Sequence, residues 1–361
     1  MAETSKMNFF PRWSLYIPLL GWLLLVAHAV IGFTGVGLIL LVLALGGTVF
    51  SAVHYAEVIA HKVGEPFGTL VLAVAVTIIE VAMIASVILS KGKQNQTVAR
   101  DTIFSVVMIV CSGLVGLCIT VGAWKHRVQG FNIKGSTGAL SAITALTTLT
   151  MILPVFTSKP DDEFRPIQLV FVGIASLILY ALFVFVQTIR HRDYFLPESE
   201  DELPHHTTPS ARQTFGALGL LLTCLVAVVL LAKSLSPTVE ALVDLAGMPK
   251  PVVGLVIAGF VLLPEGVAAI RAAQQNRLQT SINLAYGSVI ASIGLTIPVV
   301  ALISLFIGQP LILGLDERDI VLLILTILLN MITIQTGRTN ILQGGILLTV
   351  FASFLFFSIA P

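Results

Sequence analysis

Residues 67–90, FGTLVLAVAVTIIEVAMIASVILS, run without a charge except at Glu80. An apolar stretch of about 20 residues is what a helix needs to cross the roughly 30 Å hydrocarbon core of a bilayer. A carboxylate at its centre costs about 2.5–3.5 kcal/mol on insertion scales, so it faces a bundle interior or a water-filled cavity and is a functional candidate by default. Whether the rest of the chain is built from such segments decides the fold.

The composition says that it is. Of 361 residues 56% are hydrophobic and 11% charged, with a mean hydropathy of +0.98. A soluble domain carries about 25% charged residues. The sequence therefore predicts an all-α polytopic membrane protein. Apolar runs place about eleven transmembrane helices, at roughly 13–32, 34–54, 67–90, 101–123, 136–157, 166–188, 214–232, 251–270, 281–307, 318–335 and 339–359. The first run follows Lys6 and Arg12 without a small-residue cleavage site and reads as a retained helix. A net charge of +1 with no large basic cluster gives no reason to expect nucleic acid as a partner. Membrane lipid is the partner that the composition implies, and an oligomer is compatible with it. Cys111, Cys118 and Cys224 all fall in apolar segments and lack C-x-x-C spacing, which predicts neither a disulfide framework nor a zinc site.

One substantial polar connection, HRDYFLPESEDELPHHTTPSARQ (191–213), divides the helices into six and five. Setting the first helix aside leaves two blocks of five. An odd count per block means that, as repeats, they insert in opposite orientations. The expected organisation is a leading helix over 1–33, a first five-helix repeat over 34–190, the acidic connection over 191–213 and a second repeat over 214–361. A weak excess of Lys and Arg puts the N-terminus and this connection on the cytoplasmic side and the C-terminus outside. The connection is a solvated loop that could also gather cations at the cytoplasmic mouth.

A second intramembrane carboxylate, Glu265, lies in VVGLVIAGFVLLPEGVAAIRAA (252–273). It sits in the second helix of its block, as Glu80 does in the first. Corresponding positions in inverted repeats point to one site near the midplane. Pro264 cannot donate a backbone hydrogen bond, which frees a carbonyl near Phe260, and a kinked or broken helix there could present oxygens beside the carboxylate. Carboxylates, hydroxyls and carbonyls suit hard cations. Protons and cations compete for the same carboxylate oxygens, and that competition is sufficient for antiport.

Weaker signals surround these two. His54, Glu57 and His61 recur at i, i+3 and i+7 on one helical face, as a proton relay, a transition-metal ligand set or simply a polar helix end. NLAYGSVIASIGLTIPVV (283–300) offers Asn283, Ser288, Ser292 and Thr296 among small residues, either packing or lining a path. QTGRTNILQGG (335–345) reads as a polar turn. No H-E-x-x-H, P-loop or plausible Ser/His/Asp grouping is present, so the chain is not expected to be an enzyme or to carry a resident cofactor.

Together the stretches 54–84, 262–273, 283–300 and 336–344 resemble the bacterial ChaA-type branch of the CAX cation/proton exchangers, in the calcium/cation antiporter superfamily. The resemblance implies a leading helix plus two inverted five-helix repeats joined by an acidic cytoplasmic connection. It also implies residence in the bacterial inner membrane. The wider family carries G-N-x-x-E in each repeat, whose glutamates, by position Glu80 and Glu265, bind the exchanged cation. Here Val76-Thr77 and Val261-Leu262 replace Gly-Asn, and G-S-x-x-Q reads Gly287, Ser288 and then Ala291. Thr77 and Ser288 remain as assisting oxygen ligands. With fewer side-chain oxygens than the six to eight that calcium takes, the expected activity is export of Na⁺, K⁺ and/or Ca²⁺ in exchange for H⁺. Strict Ca²⁺/H⁺ exchange and a passive cation channel are the alternatives.

Overall fold

The computed structural model describes residues 10–64, 67–91, 97–157, 164–195, 209–249, 251–308 and 311–360. These residues form eleven helical rods: α1 Arg12–Ile31, α2 Val36–Val63, α3 Phe67–Lys91, α4 Val98–His126, α5 Ile133–Thr157, α6 Pro166–Arg190, α7 Ala211–Leu245, α8 Pro251–Gln274, α9 Leu278–Ile307, α10 Glu317–Gln335 and α11 Ile341–Ile359. Among the described residues nine helices are long and apolar enough to cross a membrane. Outside that nine are α3, whose described apolar part is Val74–Ala85, and α10, which opens on Glu317, Arg318 and Asp319.

Several helices outrun the lengths expected from hydropathy. α2 continues to Val63, and its 28 residues span about 42 Å at 1.5 Å per residue. Hydropathy marks where the hydrocarbon ends, whereas the backbone ladder continues wherever helix-compatible residues follow. For the same reason α7 passes Lys233, Ser234 and Pro237 to reach Leu245. Of the connection 191–213, Arg192–Tyr194 is a short helical turn, and residues 196–208, which hold Glu198, Glu200, Asp201, Glu202, His205 and His206, lie outside the described residues.

The chain divides into two units. The first comprises Met1–Ile79 and Asp201–Thr238, thus α1, α2, the start of α3 and most of α7. In it the Tyr55 hydroxyl, at 0% exposure, donates to the Ser14 carbonyl at 2.8 Å. Gly21 lets α1 approach Thr48 and Leu231, where an added Cβ would fall 2.9 Å from Thr48 Oγ1.

The second unit comprises Glu80–Glu200 and Val239–Pro361. Here α4 is the central rod, with α8, α9 and α11 packed on it and α6 along α9. At the α4–α11 crossing Gly116 and Gly344 face each other. A Cβ on Gly344 would sit 2.3 Å from Thr120 Oγ1, 2.8 Å from the Thr120 nitrogen and 2.9 Å from the Gly116 carbonyl oxygen. Small residues let helix backbones approach in this way. Gly344→Val is therefore expected to destabilise the protein by about 3 kcal/mol or more, read as a lower midpoint in a detergent thermal-unfolding series. Gly345→Val, with nothing within 4 Å of its added Cβ, is the control expected to unfold near the wild-type midpoint.

Both ends of this unit are tied by polar contacts. At one end Gln129–Gly130 pairs antiparallel with Arg338–Thr339, and buried Gln129 donates from Nε2 to the Ala273 carbonyl at 2.9 Å. The polar turn after α10 is thus half of a small sheet. The segment after α6 docks at this end: Asn283 Nδ2 donates to the Phe195 carbonyl at 2.6 Å and Lys134 Nζ lies 5.2 Å from the Tyr194 ring centroid. At the other end Arg100 is buried. Its Nε donates to Asp101 Oδ1 at 2.8 Å and its Nη1 to the Gly314 carbonyl at 2.8 Å. This pairing makes Arg100 a bolt between α4 and the segment before α10.

Candidate cation site

The site is built from α9 outward. Four residues advance a helix about 6 Å and return the side chain to nearly the same face, so Ser288 and Ser292 stand one above the other. The Ser288 hydroxyl donates to Glu265 Oε2, and the Ser292 hydroxyl donates to Glu80 Oε2. Glu80 comes from α3 and Glu265 from α8, and the two carboxyl groups are close enough to interact electrostatically. Two carboxylates separated by 185 positions in the chain thus meet on one face of a single helix.

Their exposures differ. Glu80 is 1% exposed, whereas Glu265 is half-buried. Glu80 Oε1 has no hydrogen-bond partner and is the one buried carboxylate oxygen among the described residues in that state. An unpaired buried carboxylate oxygen is costly, so this atom is open to a proton or a cation.

α8 runs unbroken from Pro251 to Gln274 with Pro264 inside it. The broken helix considered from the sequence does not form, since the backbone pairing on either side of a single proline holds the rod together. Pro264 still supplies no N–H at the Phe260 carbonyl. Immediately beyond Glu265, Gly266 faces Leu114 of α4, at the end of a wide π turn over Ile109–Leu114. π turns inside α-helices leave carbonyls in need of other donors. Asn330 of α10 answers that need: its Nδ2 donates to the Cys111 carbonyl at 2.9 Å and to the Thr326 carbonyl at 2.7 Å, and its Oδ1 accepts from Tyr286 of α9 at 2.7 Å. Asn330 is 0% exposed and Tyr286 1%. This network ties α4, α9 and α10 together.

Of the residues singled out from sequence, Glu80, Glu265 and Ser288 come together in this arrangement. Thr77 is buried one turn before Glu80 on α3, and no hydrogen bond from it to either glutamate is among the described contacts. His54 packs against Trp13, with ring centroids 5.3 Å apart, Glu57 is exposed and His61 is half-buried on α2. Ser292 as the partner of Glu80, and Asn330 and Tyr286 as the brace behind the site, are what sequence reasoning missed. The fourth-residue repeat of hydroxyls after Ser288 was the available signal for Ser292. None existed for the brace, because the need for Asn330 arises only from the π turn.

This helix arrangement is shared. The sodium/calcium exchanger protein family matches residues 30–189 and 216–360. The chain belongs to that family. The exchanger is 46% identical over 355 residues to a Sinorhizobium fredii protein described as an ionic transporter, covering 97% of each chain. It is 36% identical over 310 residues to the Escherichia coli sodium-potassium/proton antiporter ChaA, covering 85% of this chain and 84% of that one. The resemblance read from the motifs therefore stands. Among solved structures it superposes on native YfkE with a TM-score of 0.76 at 17% identity, over 96% of this chain and 100% of that one. On the H⁺/Ca²⁺ exchanger CAX the TM-score is 0.72 at 16% identity, over 95% and 87% of the two chains. At such identities the likeness is one of fold alone: a polytopic all-α membrane protein.

Proposed function

We propose that this exchanger is a secondary active antiporter of the bacterial inner membrane that exports Na⁺, K⁺ and/or Ca²⁺ in exchange for protons, with Glu80 and Glu265 as the shared ligands of cation and proton. The observation that carries the reading is the attachment of both carboxylates to one helix face through Ser288 and Ser292. Two carboxylates at membrane depth carry two negative charges when empty. A site so charged is held back from crossing the low-dielectric midplane, whereas the same site filled by cations or protons is not. Reorientation of one repeat against the other then occurs only when the site is occupied. That rule couples the two fluxes without any chemical step.

In this reading the protein is two inverted five-helix repeats behind a leading helix, and the two separate stretches of family similarity, 30–189 and 216–360, support it. Thr77 supplies a further oxygen one turn before Glu80. His54, Glu57 and His61 form the proton entry, with Glu57 as the exposed member. The serines hold one oxygen of each glutamate and leave a sparse ligand set, which favours monovalent cations over strict Ca²⁺ exchange. The 36% identity to a sodium-potassium/proton antiporter supports the same ions.

Everted vesicles from an antiporter-deficient strain test this directly. Addition of NaCl, KCl or CaCl₂ at several pH values should dissipate a preformed ΔpH, and the cation KM should fall as pH rises because the competing proton is removed. Response to Ca²⁺ alone would establish the strict calcium exchanger. Cation flux indifferent to ΔpH would establish a passive channel instead.

A further inference from the structure

α4 and α8 end side by side. Both are long and apolar enough to cross a membrane, Val98–His126 and Pro251–Gln274. The last carbonyls of α8 are capped from the link between α4 and α5. Lys125 Nζ donates to the Gln274 carbonyl at 3.1 Å, and His126 Nε2 lies 3.0 Å from the same oxygen. Gln129 Nε2 donates to the Ala273 carbonyl at 2.9 Å and to Asn276 Oδ1 at 3.1 Å. The turn beyond is tight: the Gln275 N–H meets the Arg271 carbonyl at 3.2 Å and the Arg277 N–H meets the Ala272 carbonyl at 2.9 Å. Gly130, next to Gln129, pairs with Arg338. These contacts gather Lys125, His126, Arg127, Arg271, Arg277 and Arg338 around one turn of chain.

Among the described residues no carboxylate forms an ion pair with any of the six. The opposite end of the unit is treated differently, for there Arg100 holds Asp101 at 2.8 Å and Arg318 holds Asp319 at 3.0 Å. Lys125, Arg127, Arg271 and Arg338 are exposed, so the cluster is reached from outside the protein. Like charges crowded around one turn repel each other, and an anion placed among them relieves that repulsion. Trp124 indicates which anion. It is 81% exposed in the last turn of α4, directly before Lys125. An exposed tryptophan at the end of a membrane span sits at headgroup depth, its ring toward the acyl chains and its N–H toward water. A phospholipid phosphate lies at that depth as well. A zwitterionic headgroup would bring its own cation into the cluster, whereas an anionic one does not.

We infer that the end of α4 and the turn joining α8 to α9 form a binding surface for anionic phospholipid headgroups, with Trp124 as the interfacial anchor beside it. Arg271, Arg277 and Arg338 supply charge from the turn and from the small sheet, and Lys125 supplies it from the end of α4. Because Lys125 and His126 also cap the Gln274 carbonyl, a headgroup held here fastens the end of α8, the helix that carries Glu265. The surface is independent of which ions are exchanged, and its test does not measure exchange.

With Trp13→Phe and Trp22→Phe, Trp124 is the one tryptophan left in the chain. Its quenching in bilayers containing brominated lipid reports which lipid lies against it. Brominated phosphatidylglycerol is expected to occupy that place about fivefold more favourably than brominated phosphatidylcholine, a preference that falls toward parity at high salt. Arg271→Gln, Arg277→Gln and Arg338→Gln together should abolish the preference. None of these three side chains makes a hydrogen bond among the described contacts, so the triple variant is expected to fold. A second measurement keeps all three tryptophans: phosphatidylglycerol should raise the thermal midpoint of the full chain in detergent and phosphatidylcholine should not, with the shift lost in the triple variant. Equal quenching by the two lipids overturns the inference, as does a phosphatidylglycerol preference that survives the triple variant. Sodium phosphate that raises the midpoint as much as phosphatidylglycerol overturns it too, since the cluster would then be a site for free anions. If the tryptophan-substituted protein does not accumulate, the midpoint series decides by the same outcomes.

Discussion

Glu80→Gln and Glu265→Gln are each expected to lower cation-driven ΔpH dissipation by about 100-fold or more, the scale seen when a group essential to turnover is removed. Glutamine keeps the length of the side chain and still offers Ser288 or Ser292 an oxygen to donate to, so the local packing around α9 survives. What it removes is the negative charge for which cation and proton compete. With one charge gone, the site can no longer be neutralised by the same ions on both faces, and the rule that permits reorientation only when occupied fails. Both variants should reach the membrane in wild-type amounts and unfold near the wild-type midpoint. A Gln variant that keeps more than about a tenth of wild-type exchange would show that the paired carboxylates are structural and that the ion binds elsewhere.

Asn330→Leu should strike stability instead of the ion. Leucine fills nearly the same volume but leaves the Cys111 carbonyl and the Tyr286 hydroxyl without the partners they have at 2.9 and 2.7 Å. Each unpaired buried group costs about 1–3 kcal/mol, so a loss of about 2–4 kcal/mol is expected. In a detergent melt this is a fall in midpoint of roughly 3–5 °C. Tyr286→Phe should cost less, because it leaves only Asn330 Oδ1 unpaired. The double variant should be less destabilised than the sum of the two, since residues in one network are not additive. Full additivity would mean that the two side chains do not depend on each other and that the π turn of α4 holds itself.

The two predictions separate what the chain advertises from what it conceals. Glu80 stands out in the sequence because a carboxylate amid two dozen apolar residues has no other reason to persist, and Glu265 stands out for the same reason at a matching place. Ser288 was legible because it keeps the serine of the wider family's G-S-x-x-Q. Ser292 was visible as a letter but not as a partner. Asn330 resembles any polar residue in the interior of a helix, and Arg100 resembles an ordinary loop cation, until their buried partners are seen.

Composition and periodicity by themselves determined that the chain crosses the membrane many times, in about eleven helices, and that two carboxylates lie at depth. Those properties follow from the free energy of placing single side chains in hydrocarbon, which each segment experiences independently of the others. Only the tertiary structure decided that both carboxylates attach to α9, that Glu80 is occluded while Glu265 is half-buried, that α8 passes through Pro264 unbroken, and that a π turn in α4 requires Asn330. These depend on the rotation and register of one helix against another. Such geometry is set by the close approach of Gly116 and Gly344 and by which hydrogen bonds remain to be made once the helices meet, quantities that no single segment carries.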